Sequence, residues 1–450
     1  MSEGAVQPVR RRGRVLWPPR HEAVRPHGPG QLRVITPGAS TTGGDIGLIV
    51  LLALVLPMFG QSFHYMIDVP PAYYLSKAWP ALTVLLVPLG LVRMHPPMVR
   101  RLLAMFAYVL VITPVVSMLQ LGNGLFDALA TTAKSWPLTY YFSLLGLLVV
   151  LQPRVDQIER ALITLGVATF TTMVLLWLVV PASAYQGDNA LSKLFVYEIE
   201  RGNRIYMPMF FGNMFLFWCT RKAVASSAHR WLLLVVAACL VADVLIYKQR
   251  TAIATSSLVI VLALATSLPR ALRGLVMVAA AGCVVAAVMV VVDGAIADAA
   301  KTNLGASYTI RQQSLALALK YMFGDPVRIL FGVGSITRFS AVTMADVFGD
   351  PKFYLADLGW VGIIFEYGVI GTALIASAML GSLVVAHRAA ADRDPMALAL
   401  RDSILYVAIT SMIYSVIFTP GEYATAAALA YYMARARGTW PPPLQAAATR

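Results

Sequence analysis

The chain has 450 residues, of which 58% are hydrophobic and 13% charged, and its formal net charge is +14. So few charges cannot cover a water-soluble protein of this length, and the long apolar runs lack the period-two alternation of an outer-membrane barrel. The positive charge sits mostly in short loops between apolar runs, which membrane orientation alone produces, so nucleic acid is set aside as a partner.

In chain order, residues 1–44 are polar, basic and rich in proline and glycine, with no apolar centre of the kind a signal peptide needs. They predict a disordered cytoplasmic tail. Residues 45–292 predict transmembrane helices one to nine, from apolar runs near 46–63, 78–92, 102–121, 137–151, 161–180, 205–219, 231–247, 252–268 and 271–292. Residues 293–357 predict a long outer loop, with an amphipathic helix over 308–323 lying on the membrane surface. Residues 358–436 predict three more spans (358–386, 399–418 and 422–434), followed by a second cytoplasmic tail, 437–450. The backbone of each span must satisfy itself in lipid, so the expected fold is all-α: a polytopic integral membrane protein of about twelve transmembrane helices.

Arg10, Arg11, Arg12 and Arg14 hold the first tail inside. Alternation then places 93–101, 152–160, 220–230, 269–273, 387–401 and the RARG of 435–438 inside, and each is basic. Cys219, Cys239 and Cys283 lie in or beside apolar runs and show neither metal nor disulfide spacing. His64 stands alone on the outer side and reads as structural. Asp346 and Asp350 are weak evidence for a cation, and no glycine-rich phosphate loop points to ATP.

Basic residues on the outer side break the orientation rule. Arg201 and Arg204 precede the sixth run, Lys248 and Arg250 occupy a very short turn after the seventh, and Arg311, Arg328 and Arg338 lie in the long loop. A diphosphate at the interface would account for them, because guanidinium forks match phosphate oxygens. Each has a plainer alternative. Arg201 and Arg204 can reach lipid headgroups, and Asp243, seven residues before Arg250, can pair with Lys248 or Arg250 if the helix continues. Arg328 and Arg338 read as solvated loop residues. Arg311 is expected in the first turn of its helix, with Thr309 or Ser307 as N-cap, where helix dipole and guanidinium meet.

Three segments carry a family resemblance: SYTIRQQSLALALKYMFGDPVRILFGVG (307–334), DLGWVGIIFEYGVIG (357–371) and Arg250 in KQRTA. In their order, and with a long late outer loop, the chain resembles the O-antigen ligase and O-antigen polymerase superfamily. The resemblance implies a GT-C-like membrane enzyme of the bacterial inner membrane, with both termini cytoplasmic and the active site facing the periplasm. It implies inverting glycosyl transfer from an undecaprenyl-diphosphate-linked glycan, without metal or other cofactor, alongside a flippase and a chain-length co-polymerase. Arg201, Arg204, Lys248, Arg250 and Arg311 would hold the diphosphate. Ligases carry a histidine nine residues before the Glu-x-Gly-x-x-Gly element, and Asp357 stands in that place here. A polymerase is therefore expected, with Asp357 and Arg311 catalytic and Asp357 serving as base or, alternatively, as a helix N-cap. The competing readings are an O-antigen ligase, a flippase or transporter of lipid-linked sugars, and a non-enzymatic subunit of a glycan assembly complex.

Overall fold

The computed structural model describes residues 42–64, 66–185, 194–198, 201–292, 306–336, 340, 342–350, 353–418 and 420–440, without the side chains of 42–44, 283–292 and 306–308. The first tail through residue 41, the start of the long loop (293–305), Arg338, the Cys283 side chain and the end of the second tail (441–450) lie outside this set.

Each of the twelve apolar runs falls on a helix. These are α1 (Thr42–Phe59), α2 (Pro70–Arg93), α3 (Pro96–Leu121), α4 (Leu125–Leu151), α5 (Val155–Val179), α6 (Phe210–Ala225), α7 (Ser227–Tyr247), α8 (Arg250–Ala265) and α9 (Arg270–Val292). Beyond the long loop come α13 (Trp360–Ala389), α14 (Pro395–Thr410) and α15 (Glu422–Ala436), and the loop itself holds α10 (Ala306–Phe323), α11 (Pro326–Phe331) and α12 (Met344–Phe348). Among the described residues six helices are long and apolar enough to cross a membrane: α2, α3, α4, α5, α7 and α13. The chain is an all-α membrane-embedded protein.

Prolines mark several helix starts, at Pro70, Pro96, Pro326 and Pro395, where the missing N–H has no intrahelical partner to lose. Pro114 sits deeper, inside α3. It cannot donate to the preceding turn, and the helix relaxes through a π-turn at Tyr108–Ile112, where Thr113 Oγ1 donates to the Tyr108 carbonyl at 3.2 Å. The centre of the bundle is α15, an alanine- and tyrosine-rich helix buried on every side from Tyr423 to Ala434.

The basic loops meet at one end. Arg154 pairs with Asp45 at 2.9 Å, Arg437 with Asp394 at 2.9 Å, and Arg435 donates to the Arg93 carbonyl. Just inside that end Arg221 and Asp402 form a two-pronged ion pair at 2.6 and 3.0 Å with side chains 4% and 1% exposed. Arg221 is thus a packed helix residue rather than part of a basic loop.

The opposite end departs from expectation in three places. The loop before α6 contains a small antiparallel hairpin, β1 (Phe195–Glu198) and β2 (Gly202–Ile205), the only strands among the described residues. The helix over 308–323 exists but starts earlier, at Ala306, and buries Ser314, Leu315, Ala318 and Met322 along one face. Arg311 is therefore its sixth residue, not a first-turn residue, and Thr309 lies within the helix rather than capping it. The free N–H groups of a helix start are consequently not beside Arg311. Asp357 is not an N-cap either: it sits in a 3-10 turn, Leu355–Leu358, and Gly359 occupies the cap position of α13.

Candidate functional site

A cavity of about 250 Å³ opens at the hairpin end. Arg201, Arg204, Arg311 and Asp357 all line it, together with Glu422 and Tyr206. Four of the residues singled out in the sequence thus meet, although they lie up to 156 positions apart, between 201 and 357.

The hairpin presents two of the arginines. Glu198 on β1 pairs with Arg201 at 3.4 Å and with Arg204, so one carboxylate holds both guanidiniums from the strand side. Arg204 also lies over the Tyr206 ring, 5.3 Å from its centre. The hairpin is anchored by Lys248, whose Nζ donates to the carbonyls of Arg201 (2.9 Å) and Asn203 (2.8 Å). Lys248 can reach because α7 closes in a π-turn, Asp243–Tyr247, and Lys248 itself is left-handed at φ +57°. Its role is a strut beneath the site. It does not line the cavity wall.

Arg250 also lies outside the cavity wall. It is exposed at the start of α8, while its neighbours Gln249 and Thr251 line the cavity. The pairing of Asp243 with Lys248 or Arg250 is not formed, because the left-handed turn breaks the helical face that would align them. Asp243 is buried in α7, and its Oδ1 has no hydrogen-bond partner among the described residues.

Arg311 reaches in from α10, its Nε 3.8 Å from Asp357 Oδ2. Burial pushes the Asp357 carboxyl above its ordinary range, and the Arg311 cation pulls in the other direction. The Nε atoms of Arg204 and Arg311 are buried and find no acceptor among the described residues. Each guanidinium has five N–H donors, and one carboxylate occupies only some of them.

A second cavity, of about 280 Å³, adjoins the first, with Tyr414 in both walls. Between α14 and α15 the chain is irregular, and Ser415 N donates to the Ala356 carbonyl at 2.8 Å, clamping the turn that carries Asp357. Leu355 and Ala356 line the second cavity while Asp357 lines the first. Lys134 and Glu366 form an ion pair in this second wall, with the Lys134 ammonium 5.7 Å from the centre of the Tyr367 ring.

The two glycine motifs dock on each other here. Helix α13 is broken at Gly368, which takes φ +64° and ψ −177°. The Gly332–Gly334 segment fills the break, with Val333 N donating to Phe365 O at 2.7 Å and Gly334 N to Glu366 O at 3.1 Å. The carbonyls freed by the break are thus satisfied by backbone.

Other sequence candidates have structural work. Arg328 stacks on Tyr321, 4.0 Å from the ring centre, and donates to Gln120 at 3.0 Å, so it is a packed residue rather than a solvated one. Asp346 closes a capping box with Thr343. His64 is not alone: Lys77 Nζ is 2.9 Å from its Nε2, and burial with that cation pushes its imidazole down to about 3.

Sequence reading missed Glu198, Lys134 and Glu422. Lys134 was hidden because α4 begins twelve residues before its apolar run, at Leu125 rather than 137. Glu422 is the first residue of α15, and the Pro420-Gly421 turn before it was the available signal. No family model matches the chain, and no curated protein matches it in sequence.

Proposed function

We propose that the chain is a polymerase joining undecaprenyl-diphosphate-linked oligosaccharide repeat units, a GT-C-like enzyme of the O-antigen ligase and polymerase superfamily. In this reading twelve helices span the bacterial inner membrane, both termini are cytoplasmic, and the hairpin end faces the periplasm. A flippase supplies the substrate, and a chain-length co-polymerase acts beside it. The single observation carrying the proposal is the convergence of Arg201, Arg204 and Arg311 with Asp357 around one cavity, at the end of the bundle opposite the basic loops.

The acceptor hydroxyl attacks the anomeric carbon of the donor sugar from the face opposite the diphosphate. The new glycosidic bond forms as the bond to the diphosphate oxygen breaks, and configuration inverts. Asp357 takes the hydroxyl proton. The electron pair leaves on the diphosphate, where Arg204 and Arg311 offer buried N–H donors that strengthen as charge develops. The acceptor sugar enters from the adjoining cavity, which has Lys134 and Glu366 in its wall. Driving force resides in the donor, and the arginines take the task that a divalent cation performs elsewhere.

The test is polymer formation by purified protein with lipid-linked repeat units, with and without chelator. Chain growth unaffected by chelator is expected. Growth abolished by chelator and restored by magnesium overturns the arginine account. One observation favours a transporter of the same lipids: a broken helix beside a partly buried ion pair, at Gly368 and Lys134–Glu366, is a feature of transport sites. Movement of lipid-linked sugar across proteoliposomes with no new glycosidic bond would establish that alternative.

A further inference from the structure

At the basic end, away from the site above, a cleft of about 760 Å³ runs between the start of α3 and the second half of α13. Its apolar wall includes Met98, Leu380 and Val384, and its polar residues include Arg101, Arg388 and Trp440. We propose that this cleft is a binding site for one anionic glycerophospholipid, its phosphate on Arg101 and Arg388 and an acyl chain along the apolar wall.

The apolar wall faces outward, with Leu380 62% and Val384 48% exposed on a helix apolar enough to cross a membrane. In a bilayer that face meets hydrocarbon. Beyond its break at Gly368, α13 runs 21 residues to Ala389, about 31 Å of rise against a hydrocarbon core about 30 Å thick, so its last turn reaches headgroup depth. Arg388 lies in that last turn. Both guanidiniums are exposed, and neither has a carboxylate partner among the described residues. Arg388 is held in place: its guanidinium lies 4.4 Å from the centre of the Trp440 ring. An indole at the interface is a usual membrane anchor. Arg101 lies over Gly381, where an added Cβ would be 3.5 Å from Arg101 Nη1 and 3.2 Å from Met98 Sδ. The missing side chain at 381 keeps the cleft open beneath the cation. Charge above an apolar slot matches a phospholipid with a net negative headgroup, and a basic pocket between membrane helices is a known form of such recognition.

The full-length protein in detergent is tested by native mass spectrometry with dioleoylphosphatidylglycerol or dioleoylphosphatidylcholine. One retained adduct of the anionic lipid, outlasting the zwitterionic one, is expected. Arg101→Gln with Arg388→Gln should weaken it on the order of thirtyfold, from two headgroup contacts. Gly381→Leu fills the slot with the charges intact and should remove the same adduct. The two arginines are exposed, so their replacement tests the site even if Gly381→Leu fails to fold. Equal retention of both lipids, unchanged retention in the double variant, displacement by inorganic phosphate, or a dimer without lipid adduct each overturns the proposal.

Discussion

Arg311 has two tasks in the proposed reaction: donating to the leaving diphosphate and holding Asp357 in its charged form. Burial raises the Asp357 carboxyl and Arg311 lowers it, so a base at this position gains activity as pH rises through a value above the ordinary carboxylate range. Removing the cation in Arg311→Gln lets burial act alone, and the acid limb of turnover against pH should move to higher pH. A limb that stays put or moves lower would remove Asp357 as base. Arg204→Lys and Arg311→Lys keep the charge but lose the planar fork. Turnover of each should fall by about 10²–10³, the usual loss for one donor to a developing oxyanion. Arg250→Lys should retain normal turnover at matched protein level, because Arg250 is exposed beside the cavity rather than in its wall. The sequence exposes the arginines as a class, since each breaks the charge rule of membrane loops. It does not sort them, because the hairpin that carries Arg201 and Arg204 and the turn at Lys248 that sets Arg250 outside the cavity wall are tertiary features.

At the scale of elements, the docking of Gly332–Gly334 into the break of α13 ties the long loop to that helix. A Cβ at Gly368 would meet Leu330 O at 2.3 Å and Gly332 N at 2.4 Å, with φ at +64°. Backbone on both sides leaves no flexible group to yield, so Gly368→Ala should cause severe loss of folded protein. Gly274→Ala, where nothing lies within 4 Å, should behave as wild type in the same detergent melting experiment. The Arg221–Asp402 pair ties α6 to α14. Asp402→Ala strands a buried guanidinium and should cost about 3–5 kcal/mol in unfolding measured in detergent. Both glycine motifs are visible in the sequence, yet nothing in their spacing says they touch. The contact lies between Val333 and Phe365, and their meeting depends on how α10 and α11 pack.

For the whole molecule, the proposed orientation requires the two ends of the bundle to face different compartments. Asn203→Cys and Tyr354→Cys, both exposed at the hairpin end, should react with a membrane-impermeant thiol reagent in intact spheroplasts. Ala228→Cys and Asp392→Cys, exposed at the other end, should react only after permeabilisation. The reverse pattern would put the arginine cavity in the cytoplasm and end the proposed reaction. Grouping of the basic loops is reinforced by their ion pairs, Arg154–Asp45 and Arg437–Asp394, which bring distant loops to one face.

Membership of the all-α membrane class, the position of the apolar runs along the chain and the division into basic and less basic loops follow from the sequence alone. Each is a local property: a span needs only enough consecutive apolar residues to satisfy its own backbone in lipid, and a loop's charge is read where it stands. The hairpin that aims Arg201 and Arg204, the ion pairing of Arg311 with Asp357 and of Lys134 with Glu366, and the break in α13 came only with the tertiary structure. Those features join residues separated by dozens to hundreds of positions. In lipid the apolar faces of helices offer little preference among neighbours. Which polar group meets which is therefore decided by close packing, by backbone turns such as those at Lys248 and Gly368, and by ion pairs such as Arg221–Asp402.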